Sequence, residues 1–163
     1  MYLDLEVSEH LVISGITDHL TFLLALPHLL TAQDTLVFGT YGSRADVATF
    51  LSARQISPDA FVTHAREAFA IHQDTYPQAT AFAVRPEPSL LRDLVTLLGP
   101  ESTYADLCDH IVAYGHAFPI FSYHDAFRSP LYITSRLAAG RVAAFTTALG
   151  GDVITEAAVP SRT

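Results

Sequence analysis

The sequence predicts a single α+β domain, with a strand-helix-strand-helix opening, an antiparallel meander after it, a closing helix, and the helices packed on the sheet. Three observations carry this. Short runs rich in β-branched and aromatic residues, at 35–40, 109–114, 118–123 and 131–134, are bounded by turn residues and too brief for helices. A leucine stripe, Leu90, Leu91, Leu94, Leu97 and Leu98, marks an amphipathic helix stopped by Gly99 and Pro100. With 163 residues, half of them hydrophobic and 16% charged, the chain suffices for one core and is too apolar for disorder.

Taken in order, Leu11, Val12 and Ile13 before Ser14 and Gly15 read as the end of a strand that starts earlier, since Leu3, Leu5 and Val7 alternate. Thr17 is placed as an N-cap, with Asp18 in the first turn of a helix that Pro27 should split. The run TLVFGT at 35–40 is a buried strand, and Ser43 with Asp46 has capping-box spacing before the helical face Val47, Phe50 and Leu51. Ser57, Pro58 and Asp59 open a short helical turn.

Residues 68–84 suggest two short strands around the polar centre 73–78. Glu87 and Pro88 start the leucine-striped helix, and a short helix follows over 102–107. Residues 109–114 and 118–123 flank Gly115, His116 and Ala117 as a hairpin, and a turn over 125–130 leads into 131–134. Leu137, Val142, Phe145 and Leu149 before Gly150 mark the last helix. The domain is expected to span 1–156, with 157–163 as a frayed tail.

Composition excludes several functions. Seventeen acids against nine basic residues leave a formal charge of -8, which argues against a phosphate-neutralising nucleic-acid surface. Every basic residue is arginine, so lysine-based covalent chemistry is absent, and bound anions would have to meet arginine, histidine or backbone N–H groups. The single Cys108 has no partner for a disulfide or a metal motif, which fits a reducing compartment. Its neighbours Asp106 and Asp109 would raise its pKa, so it reads as packing. Residues 1–10 hold three acids and no basic residue, unlike a secretory signal, and the apolar run 20–30 is too short to span a bilayer. A cytoplasmic protein without membrane attachment is expected.

Three groups are candidates for a site. The segment GTYGSRAD at 39–46 lies at a strand-to-helix junction, where free N–H groups and the Ser43 and Arg44 side chains could hold an anion. It matches no phosphate-loop or dinucleotide fingerprint. Eight histidines are many for this length, yet His10, His19, His28, His64 and His72 fall on different elements and no helical zinc pair is present, so no metal is expected. The turn carrying His124, Asp125 and Arg128 stands at a strand end, where function often resides, although adjacent strand residues face opposite ways. The structural alternative has Asp125 capping the turn, Phe127 plugging the core edge and Arg128 paired with an acid.

No cofactor motif is present. The leading expectation is a non-catalytic interaction or regulatory protein, for instance one that neutralises a basic toxin or enzyme, or that self-associates through an apolar edge. The rival is a small-ligand or anion-binding enzyme using the 39–46 loop and nearby histidines; a concave pocket joining those residues would favour it.

Overall fold

In the computed structural model, residues 9–61, 66, 78–150 and 153–158 are described. Seven strands form one antiparallel sheet in the order β3-β2-β4-β5-β6-β1-β7. The strands are β1 (His10–Ser14), β2 (Thr35–Thr40), β3 (Thr80–Val84), β4 (His110–Tyr114), β5 (Pro119–Tyr123), β6 (Leu131–Thr134) and β7 (Ile154–Ala158). Among the described residues the α-helices are α1 (His19–Ala25), α2 (Ala45–Ser52), α3 (Pro88–Leu98), α4 (Tyr104–Leu107) and α5 (Ala139–Leu149).

The register sorts side chains onto two faces, because successive strand residues point to opposite sides. One row crosses the sheet as Ala157, Leu11, Ile133, Phe121, Ala113, Leu36 and Val84. Most of it belongs to the large core that also buries Phe22, Leu26, Val47, Leu51, Leu91, Leu94, Val142 and Phe145 from the helices. The next row, on the other face, runs Glu156, Val12, Tyr132, Ser122, Val112, Val37 and Ala83. There a smaller cluster of Val37, Ala83, Val112 and Tyr114 is covered by Phe61. These five helices thus pack on one face.

Local signals act as expected in most places. The α3 helix begins after Glu87 with Pro88 in its first turn and ends at Gly99, whose φ of 74° a side chain would strain. Leu91, Leu94 and Leu98 form its buried stripe. Pro27 ends α1, and the chain continues as a 3-10 turn over Leu26–His28. Ser57 caps the turn Pro58–Ala60. The β4–β5 hairpin closes with Gly115 N donating to Phe118 O, and a bulge follows Ala113.

Three expectations need correction. The N-cap of α1 is Asp18, one residue after Thr17, because its carboxylate accepts from Leu20 N and from the Thr21 hydroxyl. Ser43 does not cap α2. Arg44 holds that position, and Asp46 turns its carboxylate to Val47 N and to the Arg44 guanidinium. Ala157 and Ala158 are not a frayed tail but the end of β7, which pairs with β1 from His10↔Ala158 to Ser14↔Ile154. The expected meander is present as β4, β5 and β6, which lie between β2 and β1 in the sheet. The first strand expected within 68–77, the earlier start of the first strand and residues 159–163 lie outside the described residues.

Candidate functional site

Both loops singled out in the sequence come to one end of the sheet. The segment after β2 is tied to the segment before β4: Asp109 N donates to Gly39 O at 2.9 Å, Tyr41 N to Asp109 Oδ2 at 2.8 Å and Arg44 N to Asp106 O at 3.0 Å. The turn after β5 is tied to the same segment, through Ala126 N to Asp109 O at 2.9 Å and Asp125 N to His110 Nδ1 at 3.3 Å. Asp109 is therefore the common anchor of the two loops, a role that its place in the sequence did not reveal.

This anchoring engages several of the donors an anion cradle would use. The N–H groups of Tyr41, Gly42, Arg44 and Val47 are held by Asp109, Thr40, Asp106 and Asp46 respectively. Arg44 does not face an open pocket. Its guanidinium makes a two-pronged bond to Asp46, at 2.7 and 3.0 Å, and donates to Leu98 O at 3.1 Å and Leu97 O at 2.7 Å, the last carbonyls of α3. The bonds to Asp46 raise the Arg44 pKa and lower that of Asp46, so both stay charged as a clamp between α2 and α3. Ser43 is half-buried beside this clamp.

At the other loop, Arg128 pairs with Asp125 at 3.4 Å, both exposed, a geometry worth little in water. Asp125 and Phe127 have positive φ, 43° and 69°. Aspartate tolerates that region, whereas phenylalanine must be held there. Phe127 is held by rings, since Phe22, Tyr104, Tyr123 and His19 all lie around it with centroids 5.2–6.1 Å away.

Among the described histidines, His110 and His124 meet, with ring centroids 5.6 Å apart, and Tyr41 stands edge-on to His110. Burial lowers the His110 pKa against the opposing pull of Asp109 and Asp125. With Nδ1 accepting from Asp125 N, the neutral ring carries its proton on Nε2. His19 is buried on the helix side, 2.8 Å from the Ser102 hydroxyl, which donates to Gly99 O. His10 packs on Tyr132, while His28 and His116 are exposed. His64 and His72 lie outside the described residues. No three His, Cys, Asp or Glu side chains among the described residues converge as a metal site would require. Cys108 is buried, and burial with the Asp109 charge nearby pushes its thiol pKa well up.

The clefts beside α3, at the start of α1 and beside Phe82 are lined by neither Ser43 and Arg44 nor these histidines. The sequence reasoning overlooked a different feature, the outer edge of β7. Residues 154–157 are exposed along it, Ile154 to 59%. No described strand pairs with that side. Its signals were the adjacent β-formers Val153, Ile154 and Thr155, a short run followed by Glu156 and two alanines.

No described helix is long and apolar enough to cross a membrane. Compared with protein-family models, with curated proteins and with solved structures, the chain matches none.

Proposed function

We propose that the protein is a non-catalytic interaction protein that takes up an extended, basic segment of another protein along the outer edge of β7. One observation carries the reading: Ile154–Ala158 is a terminal strand whose side chains are exposed and whose outward edge has no strand beside it among the described residues. Such an edge offers a row of backbone donors and acceptors for strand addition. ITEAA contains no lysine and no proline, its pairing with β1 runs without a register shift, and Glu156 is its one charge.

Charge selects the occupant. In a two-fold antiparallel pairing of two copies, the register that uses all five residues sets Glu156 opposite Glu156, and like charges directly opposed are unfavourable. Two chains of formal charge -8 also repel at long range. A foreign strand with lysine or arginine opposite Glu156 gains where a second copy loses, by about 0.2–1 kcal/mol for that cross-strand pair. Masking a basic toxin or enzyme is one role this surface suits. The rival anion-site reading loses support because the N–H groups of Tyr41, Gly42 and Arg44 are already engaged.

Labelled peptides of alternating valine and lysine, or valine and glutamate, test the proposal by fluorescence anisotropy with amide shifts recorded in parallel. The lysine peptide should bind, weaken as ionic strength rises, and shift residues 154–158 first. Glu156→Lys should reverse the preference between the two peptides. Shifts located elsewhere, or equal binding of both peptides, would refute it.

A further inference from the structure

At the opposite edge of the sheet, beside β3, a cleft of about 330 Å³ opens between the C-terminal end of α2 and the start of α3. That volume is within the range of small-ligand sites. Its lining carries four charges, Arg54, Arg85, Glu87 and Asp93, and among the described residues no ion pair joins any two of them. Two positive and two negative groups thus share one small cleft without neutralising one another. Ile56 and Leu90 add apolar, half-buried surface.

The two guanidinium groups are positioned by the protein and keep donors to spare. Arg85 donates from Nη1 to Gln33 O at 2.7 Å and to Asp34 O at 3.3 Å, and from Nη2 to Ala60 O at 2.9 Å. Arg54 stacks on the Phe50 ring, 3.6 Å from its centroid, and gives one bond, from Nη1 to Phe50 O. A guanidinium has five N–H groups, so both retain some for a ligand. The first turn of α3 adds to the positive side: no side chain caps it, and its first helical bond is Leu91 N to Glu87 O, which leaves the Ser89 N–H outside the helical ladder.

From this arrangement we infer that the cleft binds a small zwitterion, a free amino acid with an apolar side chain. The carboxylate meets Arg54, Arg85 and the start of α3, the ammonium group meets Glu87 and Asp93, and the side chain lies on Ile56 and Leu90. Ions of one sign fit less well. A phosphate would face two carboxylates, and a divalent cation would face two guanidinium groups. The inference is independent of β7, which lies at the far edge of the sheet.

Titration of the full chain with L-leucine, followed by amide shifts, tests it, with N-acetyl-leucine, leucinamide and inorganic phosphate as further arms. Leucine should shift the Ile56, Ser89 and Leu90 amides saturably, and blocking either charge of the ligand should weaken binding about tenfold. Asp93→Asn should weaken leucine but not N-acetyl-leucine, and Arg54→Gln should weaken both while sparing leucinamide. Should either variant misfold, the comparison of ligands on the unaltered chain decides alone. Absence of saturable shifts, equal binding of the blocked analogues, or tighter binding of phosphate than of leucine at these amides would overturn the inference.

Discussion

Replacing Thr35 by valine should stabilise the protein, although it removes a polar group from a strand. Thr35 opens β2 opposite Tyr114 and is fully buried, and its hydroxyl oxygen has no hydrogen-bond partner among the described residues. A buried hydroxyl without a partner gives up its hydration for nothing in return, at about 1–3 kcal/mol. Valine keeps the branched Cβ and hence the side-chain rigidity that suits a strand, and it fills nearly the same space. The expected gain is therefore about 1–3 kcal/mol, with each kcal/mol raising the melting midpoint by about 2–4 °C at this size. Urea unfolding followed by circular dichroism should show a higher midpoint with an unchanged slope, because the surface exposed on unfolding is the same. A loss of stability beyond about 0.5 kcal/mol would mean that the hydroxyl is bonded in the folded state, through a buried water for example, and would refute the argument. Ser122→Ala offers a weaker parallel, since its hydroxyl is also buried and has no partner among the described residues, but alanine leaves a small void.

Two further outcomes follow from the same interior. Burial lowers the pKa of both His19 and His110 below the ordinary 6.5, with Asp18 and Asp106 opposing at His19, and Asp109 and Asp125 opposing at His110, where Arg128 adds to the lowering. The unfolded chain therefore takes up protons first as pH falls, so stability is complete above about 6.5 and declines below it. Urea midpoints measured from about pH 8 down to about pH 5 should show this decline, and His19→Gln, which retains a donor toward Ser102, should make it shallower. Cys108, buried and with its thiol pKa raised, should resist an aromatic disulfide reagent in the native protein and react fully on denaturation. Rapid native labelling would contradict that placement.

The elements legible in the sequence are those whose signals are local. Glu87, Pro88, the leucine stripe and Gly99 mark α3 within a dozen residues, and TLVFGT marks β2 to the residue. Ser57 caps its turn as its neighbours suggest. Where two local partners compete, tertiary contacts choose between them. Ser43 has the spacing of a cap, but the bonds from Arg44 to the end of α3 draw Asp46 to the guanidinium and shift the start of α2. Strand β7 shows the reverse, because a weak strand-former becomes a strand when β1 provides the ladder.

The candidate site was legible only as a set of residue types. His124, Asp125 and Arg128 were recognisable as a polar turn, and Ser43 and Arg44 as a junction, yet that both loops lean on Asp109 depends on β2, β4 and β5 being neighbours. Likewise the pairing of His110 with His124 follows from the β4–β5 register and from no spacing along the chain. The charged cleft gathers Arg54, Arg85, Glu87 and Asp93 from α2, the end of β3 and α3.

The sequence by itself determined the α+β class, the acidic and lysine-free composition, and nearly every described helix and strand between residues 10 and 149, since apolar period, caps and turn residues act over a few positions. Only the tertiary structure decided the strand order, the use of Arg44 as a clamp and the place of β7 at the end of the described sheet. Each of these depends on which distant segments share a ladder, and that choice rests on the packing of the whole core.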